Sequence, residues 1–339
     1  MKDEASIIAR LCRAIPNRSG RAAAGGVAIG IGDDAAVLRP RRGREWALST
    51  DALVEGAHFL ARVHPPEVVG FKALARAASD LAAMGAEPRY FLLTLSLPAE
   101  RAGAWLERFA RGMARAARRF GMELIGGDVS RHDSVVAALT VLGEIRPGRA
   151  LTRSGARPGD ALYVSGRLGA AQAGLELLLR GGTRAPRRAR NSQHYSLERH
   201  LYPVPRLALG AWLAACGIAS AAMDLSDGLS TDLARLCVAS HAGAVVHAAS
   251  LPLAAADGGE SASAGRRAAA LARALHGGED YELLFTVRPR RVAQVPAHFR
   301  GVPLTRIGEI VRGRGAMLLK ANGRRVPLPP QGWDHFARP

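Results

Sequence analysis

A chain of 339 residues is long for one simple domain and short for three, and its 48% hydrophobic content supplies a substantial core, so two domains of similar size are expected. No stretch approaches ~20 uninterrupted apolar residues, and the start (Met1, Lys2, Asp3, Glu4) lacks the basic-then-apolar pattern of a secretory signal, so a cytoplasmic protein without membrane partners is expected. The formal charge of +18 is almost all arginine, lysine occurring only at Lys2, Lys72 and Lys320, and the densest runs (Arg39, Arg41, Arg42, Arg44; Arg184, Arg187, Arg188, Arg190; Arg288, Arg290, Arg291) sit beside Pro and Gly with few aromatics, as in solvated loops rather than a nucleic-acid surface.

Along the chain, Ile7, Ile8, Leu11 and Ile15 recur at helical spacing. Residues 46–49 predict a strand, Pro65 and Pro66 before Glu67 suit a helix start, and residues 68–84 have the alanine and leucine content of a packed helix. Residues 90–96 and 135–145 predict strands, and between them Trp105, Phe109, Met113, Ala116 and Phe120 form a second helical face. At 146–159 the pattern breaks into Pro, Gly and Arg, the candidate domain boundary. Beyond it, strands are predicted at 161–165, 221–225 and 281–287, helices at 168–179 and 229–238, and mobile loops at 181–191 and 254–265. There is no fixed-period repeat. Cys12, Cys216 and Cys237 lie far apart without a CxxC pair and predict small buried apolar residues, not a disulfide framework or a zinc site.

Only 29 Asp and Glu residues serve the whole chain, yet many fall in apolar or glycine-rich segments. Asp33 and Asp34 follow Gly30-Ile31-Gly32, Asp51 ends the 46–49 strand, Asp80 lies inside an Ala/Leu helix, and Asp128 follows Gly126-Gly127 after a strand. Asp224 and Asp227 bracket Leu225-Ser226, and Glu279, Asp280 and Glu282 follow Gly277-Gly278. Each alone has a plain structural explanation as a turn, a helix start or a helix surface residue. Together they predict carboxylates that converge, which must be paired, protonated or metal-bound. Arginines lie mostly elsewhere in the sequence. Oxygen-only donors suit Mg²⁺ or Mn²⁺, and the glycines permit backbone N–H groups to approach phosphate oxygens.

Other phosphate and hydrolytic chemistries lack their residues. No lysine follows a glycine as a Walker loop requires, there is no HRD catalytic loop, and Gly-x-Ser-x-Gly is absent. Aspartate and a divalent cation are left to do the electrostatic work.

The segments GIGDD (30–34), STD (49–51), VEGAHF (54–59), SDLAAMG (79–85), GGD (126–128), LTRSG (151–155), DLSDGL (224–229), GGEDYEL (277–283) and GWDHF (332–336), in this order, resemble the thiamine-monophosphate kinase family. The likeness runs from about Ser6 to Phe336. It implies an α/β fold of α+β type like that of aminoimidazole ribonucleotide synthetase. Residues 1–146 would be an N-terminal ATP- and magnesium-binding dimerisation domain and 147–339 a C-terminal domain completing the active site, with N-terminal domains pairing into the β-barrel of a homodimer.

By motif position, the resemblance implies magnesium ligands at Asp34, Ser49, Thr50, Asp51, Asp80, Asp128, Asp224 and Asp227. It places ATP contacts at Gly127, Asp128, Arg153 and Ser226, substrate contacts at His58, Glu279 and Trp333, and the catalytic load on Asp51, Asp80 and Asp128. The implied reaction moves the γ-phosphoryl group of ATP directly onto thiamine monophosphate; the acceptor oxygen is already anionic, so a strong general base is unnecessary. Trp333 has the alternative of a packed aromatic, His58 of a strand cap, and Glu279 of a loop hydrogen bond. The chain departs from the family where Val129-Ser130 follow GGD in place of two threonines. It has neither the glycine-rich Cys or Lys loop of selenophosphate synthetase nor the terminal cysteine of the hydrogenase-maturation relative. Another phosphotransferase of that superfamily, or an arginine-rich nucleic-acid-binding protein, are the competing readings.

Overall fold

The computed structural model describes residues 4–17, 26–31, 35–181, 191–254 and 263–336. It divides into two units, Met1–Leu81 with Ala86–Ala150, and Ala82–Gly85 with Leu151–Pro339.

The first unit runs α1 (Glu4–Ala14), β1 (Val27–Ile29), β2 (Val37–Leu38), β3 (Glu45–Val54), α2 (Pro66–Met84), β4 (Glu87–Leu97), α3 (Ala104–Phe120), β5 (Glu123–Arg131) and β6 (Val136–Ile145). Its main sheet has the order β3-β6-β4-β5, antiparallel except for the β4/β5 pair. Side chains alternate between the two faces of a strand, and the register sorts them. Leu53, Leu139, Val141, Phe91, Leu93 and Leu95 line one face and are buried, whereas Thr50, Ala52, Thr140, Thr94, Ser96, Asp128 and Ser130 line the other. Helices α2 and α3 cross backbone to backbone: a Cβ on Gly70 would lie 2.0 Å from the Phe109 carbonyl oxygen, and one on Gly112 1.9 Å from that of Glu67. The second face is covered at one end by the β1–β2 pair, where Val27 and Leu38 pack with Trp46, Tyr90, Leu92, Ile125 and Leu142. Among the described residues the rest of it is open, with Leu48 62% exposed.

The second unit contains β7 (Ala161–Ser165), α4 (Ala170–Gly181), α5 (Asn191–Leu201), α6 (Leu207–Cys216), β8 (Ala219–Asp224), α7 (Leu229–Ala239), β9 (Gly243–His247), α8 (Ala264–His276), β10 (Leu283–Val287), β11 (His298–Phe299), β12 (Val302–Val311), β13 (Gly315–Leu319) and β14 (Arg325–Pro327). The sheet order is β14-β13-β9-β12-β7-β10-β8, antiparallel apart from β13/β9. Strands β7 and β10 at its centre are buried at every position because both faces are covered. Leu162, Val164 and Leu284 join Leu229, Leu233 and Leu236 of α7 and Leu275 of α8. Ala161, Tyr163, Leu283, Phe285 and Val287 join Leu209 and Leu213 of α6 on the opposite side.

Several expectations are corrected. Asp51 sits inside β3, which continues to Val54, and Asp128 sits inside β5, since ladder pairing carries both strands past the polar residues. Strand β10 begins at Leu283 because Glu279 and Tyr281 adopt left-handed φ of 70° and 49°. Cys216 is exposed and Cys12 half-buried, leaving Cys237 as the one buried cysteine of the three. Arg41 and Arg44 are not merely solvated, for Arg41 pairs with Glu87 and the buried Glu144, and Arg44 with Glu87. Residues 182–190 and 255–262, most of the two stretches expected as loops, lie outside the described residues, and α8 already begins at Ala264. Among the described residues no helix is long and apolar enough to cross a membrane.

Candidate functional site

In the first unit, β3 and α2 present matched polar pairs. Ser49 and Asp51 are two residues apart on one face of β3, a separation of about 6.8 Å, while Arg76 and Asp80 are one turn apart on α2, about 6 Å. The near-equal spacing lets both pairs meet: Ser49 Oγ donates to Asp80 Oδ2 at 2.5 Å, and Arg76 Nε donates to Asp51 Oδ2 at 3.3 Å. Half-buried carboxylates in an otherwise apolar layer are thus paired within it, Asp51 by an arginine.

Thr50 and Asp128 point to the other face. Thr50 accepts a hydrogen bond from Thr140 Oγ1 at 3.3 Å, and Asp128 pairs in register with Thr94 on β4. Strands β3 and β5 are opposite edges of the sheet, three strand spacings or about 14 Å apart. Within one chain, therefore, Asp128 does not join Asp51. Gly127 has φ 153°, and a Cβ there would stand 1.9 Å from the Leu93 carbonyl oxygen, so the strand position before Asp128 admits only glycine.

His58 lies on the turn that follows β3. Its Nδ1 accepts the Val54 N–H at 3.0 Å, which places the proton of the neutral ring on Nε2. The strand-capping alternative is thus realised at one ring nitrogen. The turn is anchored by Glu55, whose carboxylate receives Arg101 Nη1 at 2.6 Å, Arg101 Nη2 at 2.9 Å and the Val135 N–H at 3.0 Å. Burial pushes the Glu55 carboxyl up, but Arg101 and the peptide N–H outweigh it and hold the group below its ordinary value.

In the second unit, Asp224 is buried at the end of β8, and the following turn is shaped by Asp232 of α7, whose Oδ2 accepts the N–H groups of Asp227 and Gly228 at 3.0 and 3.1 Å. Burial and the nearby Asp227 push the Asp232 carboxyl up to about 6. Arg235 bridges Asp227 and Asp232. The C-terminal segment docks on this turn: Gly332 N donates to Thr231 Oγ1 and Trp333 N to the Asp227 carbonyl, both at 2.9 Å. A Cβ on Gly332 would lie 2.0 Å from that carbonyl oxygen, so glycine is what allows the approach. Trp333 is held by its backbone while its side chain stays 48% exposed, the arrangement of a stacking surface rather than a core aromatic.

The glycine-led segment 277–283 laces onto the same turn through Glu279 N to Ser226 O at 2.8 Å and Tyr281 N to Leu225 O at 2.9 Å. Its acids diverge. Asp280 is buried and accepts the Gly169 and Ala171 N–H groups at 2.7 and 3.2 Å, capping α4; burial nevertheless pushes its carboxyl up to about 7. Glu282 is fully buried and receives Ser165 Oγ at 2.6 Å, Arg199 Nη2 at 2.8 Å and Arg206 through two nitrogens. Burial raises its carboxyl, but Arg206 and Arg199 bring the balance below the ordinary value. Glu279 is left facing outward, with Oε2 3.3 Å from Nδ1 of the buried His200.

The second unit thus gathers Asp224, Ser226, Asp227, Glu279 and Trp333 around the β8–α7 turn, and the first gathers Ser49, Asp51 and Asp80. Arg153 is exposed on the segment before β7, its carbonyl accepting Ser240 Oγ at 2.8 Å. Asp34 lies outside the described residues. Among the described residues, no three carboxylate, imidazole or thiol groups come together as a metal-holding group. The donors that do meet, a hydroxyl and carboxylates without sulfur, suit a hard cation in their chemistry. The sequence reading missed the arginines that pair these acids: Arg76, Arg199 and Arg206 lie too far from their partners for any local pattern, while Arg235 is an i,i+3 neighbour of Asp232 whose helical spacing was a usable signal. It also missed His200.

Two family models match the chain: AIR synthase related protein, N-terminal domain, over residues 32–145, and AIR synthase related protein, C-terminal domain, over residues 157–320. Thiamine-monophosphate kinase of Salmonella typhimurium is 42% identical over 320 residues, covering 92% of this chain and 93% of the relative. The crystal structure of thiamine-monophosphate kinase from Stenotrophomonas maltophilia superposes with a TM-score of 0.76 at 36% identity, covering 93% of this chain and 94% of that one. The structure of AaThiL complexed with AMPPCP and TMP superposes with a TM-score of 0.73 at 33% identity, covering 88% and 89%.

Proposed function

The chain belongs to the thiamine-monophosphate kinase family, and from that premise we propose that it transfers the γ-phosphoryl group of ATP to thiamine monophosphate, giving thiamine diphosphate and ADP. The observation that carries the reading is the extended likeness to AaThiL, a relative solved with AMPPCP and TMP.

Magnesium is the proposed metal, held by Asp34, Ser49, Thr50, Asp51, Asp80, Asp128, Asp224 and Asp227. Its chemistry would be to neutralise the phosphates of both substrates, which otherwise repel. Support comes from the all-oxygen character of these side chains and from the Ser49–Asp80 contact, which holds two donors side by side. ATP would be held by Gly127, Asp128, Arg153 and Ser226, and the thiamine moiety by His58, Glu279 and Trp333. For His58 the ring donor is Nε2–H, a group suited to a phosphate oxygen. Trp333 offers an exposed indole to a cationic ring.

A homodimer is proposed through the uncovered part of the first unit's sheet. Leu48 stands largely exposed there among small residues, Thr50, Ala52, Thr94 and Ser96, which a second sheet could approach closely. A cytoplasmic setting and the absence of a nucleic-acid partner belong to the same proposal. Incubating pure protein with ATP, magnesium and thiamine monophosphate should yield thiamine diphosphate and ADP in equal amounts. ADP release without thiamine diphosphate would reject the acceptor.

A further inference from the structure

We propose that His200 is a positioning residue for substrate recognition: from α5 it fixes the Glu279 carboxylate so that this group receives the cationic heterocycle of the substrate. The inference rests on the reading of Glu279 as a substrate contact and adds the residue that sets its geometry.

Three acids lie within four positions of one segment, and the structure gives each a different partner. Asp280 takes the N-terminus of α4, and Glu282 takes Ser165, Arg199 and Arg206. Glu279 faces the buried His200, whose Nδ1 stands 3.3 Å from Oε2 within ion-pair distance, without the alignment of a hydrogen bond. The arrangement is built into the helices. A Cβ on Gly174 of α4 would lie 2.1 Å from the Ser196 carbonyl oxygen and 2.8 Å from the His200 Cβ, so glycine lets α5 press against α4 and seats His200 where it is only 2% exposed. The neighbouring Arg199 ties the same turn of α5 to Glu282.

Glu279 is constrained from both ends. Its backbone is left-handed, at φ 70°, and its N–H is held by the Ser226 carbonyl at 2.8 Å. A non-glycine residue in that region persists where surrounding contacts over-determine it, and such residues gather at functional sites. The side chain, 22% exposed and set 3.3 Å from a buried imidazole, has fewer rotamers open to it than a free glutamate. Ordering it during folding spares that entropy at binding. A carboxylate repels phosphate and attracts a thiazolium or aminopyrimidine, so its fixed direction serves the heterocyclic end of the substrate. No proton is transferred in this role.

The test is a mutant cycle of His200→Leu, Glu279→Gln and the double variant, with thiamine monophosphate affinity read by calorimetry and KM measured for both substrates. His200→Leu should weaken thiamine monophosphate about tenfold while leaving KM for ATP unchanged. His200→Asn, which keeps a polar group near the Nδ1 position, should recover most of the loss, and the double variant should bind no worse than Glu279→Gln alone. His200→Phe keeps the volume without the nitrogen and replaces Leu if that variant fails to fold. Unchanged affinity in a folded His200 variant, losses that multiply in the double variant, or an equal rise in KM for ATP would each overturn the inference. A wild-type protein that makes no thiamine diphosphate would remove the functional reading and the inference with it, whereas an active wild type with any of those outcomes removes the inference alone.

Discussion

Ser49 Oγ donates to Asp80 Oδ2 at 2.5 Å, joining an edge strand to the helix that covers it. One strand repeat away, Asp51 meets Arg76 from the same helix. Asp80→Asn keeps the volume and removes the charge proposed to hold the cation. The expected result is a fall in kcat of about a hundredfold or more with an unchanged circular dichroism spectrum. Near-normal turnover in saturating magnesium would reject the assignment, and Asp51→Asn should behave alike.

Glu282 governs stability rather than chemistry. Glu282→Gln leaves Arg199 and Arg206 buried without their counter-charge, and breaking such a pair costs about 3–5 kcal/mol. Because the folded carboxyl lies below its ordinary value of 4.5, its contribution is present above that pH and fades as pH falls through the folded value. Urea unfolding across pH 3 to 7 should therefore show the wild type losing stability at the acid end and the variant, already weakened at pH 7, losing less. Parallel curves would refute the linkage.

Gly332→Ala tests the docking of the C-terminal segment. The added methyl would meet the Asp227 carbonyl oxygen at 2.0 Å and push Trp333 away without altering the indole. Thiamine monophosphate affinity should fall about five- to tenfold, as it should in Trp333→Ala if the ring stacks on the substrate. Equal affinity in both variants and the wild type would return Trp333 to a purely structural part.

Gly127→Ala and Gly126→Ala form a contrast on β5. At Gly127 the methyl collides with the Leu93 backbone at 1.9 Å, whereas at Gly126 it meets only the Leu92 side chain at 2.9 Å. The first variant should lower Tm by several degrees and abolish turnover, and the second should remain folded and active. Thermal melts and a single-point assay decide the matter.

Some elements were legible in the sequence from their own pattern: α3 from Trp105, Phe109 and Met113 at helical spacing, and β7 from the short run 161–165. The acids themselves were conspicuous beside glycine. Their partners were not, because Asp51 and Arg76 are 25 positions apart and Arg206 and Glu282 76, and no local rule couples such residues. Helix α5 escaped because NSQHYSLERHL is mostly polar, its few buried residues being Ser196, Leu197 and His200. Helix α6 escaped for the opposite reason, being apolar on every side. The strand ends were placed early wherever a polar residue, Asp51 or Asp128, looked like an interruption but was a rung of the ladder.

The division of labour among Glu279, Asp280 and Glu282 fixes the length of their segment to the residue. Deleting one position before Leu283 would send each acid toward its neighbour's destination: the carboxylate beside His200 would be driven against the α4 amides, and the arginine pair would lose its counter-charge. The spacing from Gly278 to Leu283 is therefore constrained along with the side chains themselves, and natural variation in chain length should accumulate elsewhere on the protein.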